Sequence, residues 1–224
     1  MPVIQAADKD LLKQYYDAWY RPDNMVLVMV GDMDVQMAQA LIQDPFKSLY
    51  PRSSGTPPDP SEIQWKPHKG IKPFYYHEPE ASKTQITIER VVYTDNAYQT
   101  LDSLKQDLVK HLADTILQNR LSRMIRQQTA DFSSASVYSG TFLQHLSMAA
   151  ITADCKPEDW EKSLVQLEKI LRQALESGFT QNELDQVTAD YISQLDAGVK
   201  QADTRKTARI ARSLLQSIQD RKLF

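Results

Sequence analysis

The sequence predicts an α+β fold in which a mainly antiparallel sheet carries helices on one face, and three observations lead there. Thr84 to Val92 alternates Gln85, Ile86, Thr87, Ile88, as a strand with one buried face does. Ser134 to Ser139 and Leu146 to Ala153 are two further short strand-like runs, joined near Gly140. Long stretches with apolar residues at helical spacing lie between and after them. With Phe74 to His77 as an additional strand, the order is β-β-α-β-β-α-α-α, a two-layer sandwich preceded by a short α-β-α segment.

In the leading segment, Asp8 is placed to cap a helix through Tyr20 whose Leu11, Leu12, Tyr15 and Trp19 make one apolar face. Arg21-Pro22 ends it. Met25 to Val30 is six apolar residues without polar alternation, which reads as a strand buried on both faces. After Gly31-Asp32, Asp34 caps a short helix that Pro45 should stop. Pro51, Pro57, Pro58, Pro60, Pro67 and Pro73 then mark a linker. The expected division is 1–49 as the leading segment, 50–72 as the linker and 73–224 as the main body.

Within the body a helix is expected from about Ala97 to Gln127, with Leu101, Leu104, Leu108, Leu112 and Ile116 on one stripe. Pro157 suits the first turn of a helix ending at Ser177, since its missing N–H has no partner to lose there. Gly178 stops that helix. Thr180 and Glu183 then form a capping box, with Phe179 and Leu184 in staple positions, and open the next helix. A last helix is expected over about Asp203 to Gln219.

Composition excludes several function classes. A formal charge of −3 and the lack of aromatics interleaved with basic residues argue against nucleic acid as a partner. No apolar run approaches the roughly twenty residues of a membrane span. Cys155 is the lone cysteine, so no internal disulfide forms. The start "MPVIQAADKD" has neither the basic flank nor the apolar core of a signal peptide. The sequence thus names no compartment, periplasm and cytoplasm both being compatible.

Catalytic motifs are missing. His68, His77, His111 and His145 have no second His or Cys at metal-ligand spacing, and G-x-S-x-G, G-x-G-x-x-G and the phosphate-loop motif do not occur. Arg120, Arg123 and Arg126 at three-residue spacing are explained by the negative end of the helix dipole. Arg205, Lys206, Arg209 and Arg212 read as a solvated face.

The stretch "YYDAWYRPDNMVLVMVGDMD" resembles the pitrilysin/insulysin family of zinc metallopeptidases, mitochondrial-processing-peptidase-like members included, which read F-Y-x-x-W/Y-Y-x-P-x-N-M-x-L-x-x-V-G-D-x-D there. "TQITI", "ILQNRLSRMIR" and "PEDWEKSLVQLEKILRQALESGFTQNELDQV" are similar to the domain that follows in that family, so the resemblance runs from about Asp8 to Leu195.

Family catalysis uses H-x-x-E-H, whose Glu activates a zinc-bound water. That motif does not occur in this chain. The resemblance therefore implies a non-catalytic domain that helps enclose unfolded peptide, preceded by the closing segment of a catalytic domain, the whole expected to be cut from a longer polypeptide. It implies no cofactor in this chain, zinc in the parent or partner, a zinc-bearing domain or subunit and unfolded peptide as partners, and no peptidase activity alone.

The family often binds substrate with an arginine followed seven residues later by tyrosine. Arg126 is followed one residue short of that by Phe132, so Arg126, Phe132 and Tyr138 are the substrate-binding candidates. Two alternatives stay open: an assembly subunit like the family's inactive core proteins, and a peptide-binding partner of a separately encoded zinc subunit.

Overall fold

The computed structural model describes residues 2–52, 66–94, 97–143 and 145–222, the side chains of Pro2 and Val3 excepted. Most of the proline-rich stretch expected as a linker, residues 53–65, lies outside the described residues. The chain forms two compact units, one of Met1–Glu62 with Thr204–Lys222 and one of Ile63–Asp203.

The first unit contains helices α1 (Pro2–Gln5), α2 (Lys9–Trp19) and α3 (Val35–Phe46), and, from the far end of the chain, α7 (Thr207–Gln219). Asp8 caps α2 by accepting from the Leu11 N–H at 2.8 Å, and Asp34 caps α3 by accepting from Gln36 and Met37 at 2.8 and 3.1 Å. Between them a 3-10 turn, Pro22–Asn24, is held by a two-pronged Arg21–Asp23 contact at 3.0 and 2.6 Å and by Asn24 Nδ2 donating to the Trp19 carbonyl at 3.2 Å. The conspicuous Tyr-Arg-Pro-Asp-Asn stretch is thus a turn tied down by its own polar side chains.

Met25 to Val30 is not a strand, a correction to the sequence expectation. No strand lies among the described residues of this unit, and a ladder cannot form with one member. Met25, Val26, Leu27 and Met29 are exposed as a result. Pro45 does not stop α3 either. It sits in the last turn, where it removes one hydrogen bond and the helix ends one residue later.

The second unit runs β1 (Thr84–Tyr93), α4 (Leu101–Arg126), β2 (Ser134–Phe142), β3 (Leu146–Cys155), α5 (Trp160–Ser177) and α6 (Gln181–Lys200). The sheet is antiparallel with order β1-β3-β2, so β1 and β2 are its edges. The α+β class and the antiparallel sheet are as expected, while Phe74 to His77 does not join it. Its Phe-Tyr-Tyr run has strong strand propensity, but no neighbouring strand pairs with it, and Phe74, Tyr75 and Tyr76 are exposed. Gly140 lies within β2, which continues to Phe142 before β3 opens at Leu146.

Side-chain alternation separates two faces. Ile86 and Ile88 of β1 stand opposite Ala153 and Ile151 of β3, which in turn oppose Ala135 and Val137 of β2. These residues pack against Leu117 and Leu121 of α4 and Leu167 and Ile170 of α5, with Phe132 and Cys155 in the same cluster. Leu121 and Leu167 are fully buried at 0% exposure. Helices therefore cover one face, and that face is the core.

α4 starts at a Thr100–Ser103 capping box, and α6 starts at the Thr180–Glu183 box that the sequence predicts. Gly178 has φ 68° and ψ −148°, a backbone region open to glycine alone, which explains the sharp end of α5. Truncating Leu121 to Ala removes packing at the centre of this seam; a loss of about 3 kcal/mol is expected in urea unfolding.

Candidate functional site

With one sheet face taken by helices, the groups left for function are the opposite face, the two strand edges and the helix clefts. The opposite face is polar. Asp154 of β3 accepts from Lys83 at 2.5 Å, Gln85 at 3.2 Å and Ser134 of β2 at 2.8 Å, tying three strands together, and the Lys83 contact lowers its pKa most. Next to it the Thr87 and Thr152 hydroxyls pair at 3.1 Å.

The two edges differ. The Thr94 N–H donates to the His145 carbonyl at 2.8 Å, continuing the Tyr93↔Leu146 register. Antiparallel ladders alternate, so the even-numbered residues of β1 bond to β3, and Gln85, Thr87, Glu89 and Val91 turn their N–H and C=O groups outward. Among the described residues nothing pairs with these outward groups. On β2 the outward groups are met by α4. Gln118 donates through Nε2 to the Ala135 carbonyl and accepts through Oε1 from the Val137 N–H, both at 3.0 Å. One turn earlier, Asp114 accepts from the Ser139 hydroxyl at 3.0 Å. Burial raises the Asp114 pKa, against the lowering effects of the Ser139 hydrogen bond and the charges of His111 and Lys110.

An open cleft of about 710 Å³ lies among α4, α5 and α6, lined by Arg120, Arg123, Met124, Ile170, Gln186 and others. Its organising element is an ion pair. Arg120 meets Glu183 through two parallel bonds at 2.7 and 2.8 Å, donates to the Gly178 carbonyl at 3.2 Å and covers the Phe179 ring at 5.0 Å. That arrangement lowers the Glu183 pKa from 4.5 to about 2, the Arg120 hydrogen bond contributing most. Arg120 is thus no mere helix-end cation: it locks α4 onto the α5–α6 junction.

The three sequence-predicted substrate contacts occupy separate places. Arg126 is the last residue of α4 and exposed. Phe132 is 5% exposed, inside the core cluster with Leu121, Ile151 and Leu167. Tyr138 stands on the opposite sheet face at 47% exposure, its ring lying over Gly140, where a Cβ would collide with it. No hydrogen bond, ion pair or ring contact joins any two of them among the described residues.

The loop joining Arg126 to Phe132 is tightly held. Gln128 adopts φ 56°, and the Gln128 and Thr129 N–H groups return to the Ile125 and Met124 carbonyls at 3.1 and 3.0 Å, a helix-ending pair usually built on glycine. From α5, the fully buried Ser163 hydroxyl donates to the Asp131 carbonyl at 2.7 Å, and Gln166 bonds to both Asp131 N–H and Thr129 C=O at 2.9 Å. None of these long-range partners is marked by a sequence motif.

Zinc finds no fit in this donor set. Among the described residues no group of three or more His, Cys, Asp or Glu side chains could hold a metal. The His111 ring packs 5.5 Å from Tyr191, and His145 stacks 5.8 Å from Tyr93.

A family model for the peptidase M16 inactive domain matches residues 6–190. The chain belongs to that family. It is similar to "Probable zinc protease PqqL" of Haemophilus influenzae, 22% identical over 240 residues that take in 99% of this chain and 24% of the relative. PqqL of Escherichia coli K12 is 39% identical over 49 residues, 22% of this chain and 5% of the relative. The chain thus spans about a quarter or less of the curated relatives it matches.

Among solved structures, the periplasmic protease PqqL from Escherichia coli superposes with TM-score 0.73 at 19% identity, covering 100% of this chain and 24% of that one. A "predicted insulinase family protease" from Yersinia pestis gives 0.75 at 20%, covering 100% and 48%. At such identities the likeness shows the fold. This chain is accordingly an inactive M16 domain of a zinc protease family.

Two substitutions test the local geometry of this M16 domain. Gln128→Gly relieves the left-handed strain and is expected to raise stability by about 1 kcal/mol in urea titration. Glu183 has a folded pKa below its ordinary value, so its contribution is complete above pH 4.5 and lost as pH falls towards about 2. Glu183→Gln is expected to cost about 2 kcal/mol at pH 7 and to flatten the stability profile across that window.

Proposed function

We propose that the chain is the non-catalytic domain of a zinc metalloendopeptidase, which helps form the wall of a peptide-enclosing chamber and binds extended substrate by strand addition at the outer edge of β1. The observation that carries this reading is the row of outward backbone groups at Gln85, Thr87, Glu89 and Val91, which have no partner among the described residues. Such groups bind any extended peptide through its main chain, which suits a protease that accepts varied unfolded substrates.

The partner is a zinc-bearing domain or subunit of the same family that supplies H-x-x-E-H, the zinc and the hydrolytic step. Residues 1–49 are the closing segment of that catalytic-type domain. The many exposed apolar side chains of α2, α3 and Met25 to Met29, among them Leu12, Val26 and Met37, support this, because they need a neighbouring surface to bury them. Arg126 and Tyr138, the two exposed members of the predicted trio, contact substrate or the opposing wall, and Phe132 acts from beneath by packing.

Glu89→Pro deletes one outward N–H without touching the β1–β3 ladder, whereas Arg90→Pro breaks that ladder. By fluorescence anisotropy with a labelled unfolded peptide, Glu89→Pro is expected to weaken binding at least tenfold while leaving the circular dichroism intact. Unchanged binding would rule out the β1 edge. In a second assay, chelator-sensitive peptidase activity is expected only when a zinc-bearing half with H-x-x-E-H is added. A complex that forms without any effect of peptide would instead mark an assembly subunit.

A further inference from the structure

We propose that Asp114 and Gln118 act together as a side-chain substitute for a strand, sealing the outer edge of β2 so that the sheet accepts an extended polypeptide at one edge only. The seal itself stands on geometry alone; the choice of β1 as the edge left for peptide rests on the function proposed above.

The Gln118 amide offers one donor and one acceptor to the Ala135 C=O and the Val137 N–H, the same two groups, either side of Ser136, that one residue of a neighbouring parallel strand would serve. Its second N–H goes to the Ser122 hydroxyl at 3.2 Å, so both amide donors are used and its orientation is fixed. Asp114 then meets Ser139, the next outward residue along β2. The spacings agree: one helical turn of four residues advances about 6 Å, and two strand residues advance about 6.7 Å. A helix laid beside a strand can therefore present polar side chains at i and i+4 to successive outward positions. α4 does so at 114 and 118, while among the described residues no side chain or backbone group bonds to the outward backbone groups of β1.

An unprotected second edge would invite sheet-to-sheet pairing between copies or a second, misplaced peptide. The seal removes that option with two side chains and leaves the core face untouched, because Ala135 and Val137 still point their side chains into the core.

Hydrogen exchange read residue by residue tests the proposal in the full chain. In the wild type the Val137 amide is expected to exchange at least tenfold more slowly than the outward Thr87 and Glu89 amides. Equal rates would overturn the seal without any variant. In Gln118→Ala, Val137 should exchange as fast as Thr87 while Tyr138, in the ladder, stays slow. Persistent protection of Val137 with the ladder intact contradicts the proposal.

The double variant Asp114→Ala/Gln118→Ala is expected to self-associate in sedimentation velocity or to bind a second equivalent of a fluorescein-labelled alternating Thr-Val decapeptide. A folded monomer with no added peptide stoichiometry refutes the edge-blocking role. Gln118→Glu, which keeps the acceptor for Val137 and loses the donor to Ala135, covers the case in which the alanine variants do not fold: Val137 should stay slow in it. If the wild type binds no decapeptide while the exchange results hold, the β1 reading fails and the seal stands.

Discussion

Burial of one sheet face under two helices is the constraint on which the rest depends. Leu121 and Leu167 have no solvent contact and meet Ile151 and Ala153 across the seam. Because side chains alternate along each strand, committing Ile86, Ile88, Ala135 and Val137 to that seam commits Gln85, Thr87, Asp154 and Tyr138 to the far side. A one-residue slip would turn the polar Asp154 cluster into the core. The register is therefore set by hydrophobic burial, and the register in turn decides which backbone groups face outward at each edge.

Polar interactions then refine what burial has set. Arg120 and Glu183 are each largely shielded, with side chains 18% and 17% exposed, and their two-pronged geometry ties α4 to the first turn of α6. Ser163 and Gln166 hold the α4–β2 loop, which carries Phe132 into the core. No buried side-chain polar atom among the described residues is left without a partner. The second unit thus has a satisfied interior. The first unit has no buried residue on α2 or α3.

Legibility from sequence followed locality. The Asp8 and Asp34 caps, the Thr180–Glu183 box and the Gly178 stop depend on residues within four positions of one another, and each was readable. Strand β1 was readable because Ile86 and Ile88 alternate with polar neighbours. Met25 to Val30 and Phe74 to His77 are also rich in strand-favouring residues yet form no ladder, since pairing depends on a neighbour that propensity does not report. The edge groups were harder still. Gln118 and Arg120 find their partners 17 and 63 residues away, and nothing in their own neighbourhoods distinguishes them from other helix-surface residues. Phe132 looked like part of a recognition pair because it follows an arginine at nearly the family spacing, yet its ring is a core element.

The most direct measurement is native-state hydrogen exchange along β1, with and without an unfolded peptide. The account predicts a two-residue alternation in the free chain, with Ile86, Ile88 and Arg90 amides protected by β3 and Thr87, Glu89 and Val91 amides open, and predicts that peptide slows the open set. Uniform protection of both sets before any peptide is added would contradict it.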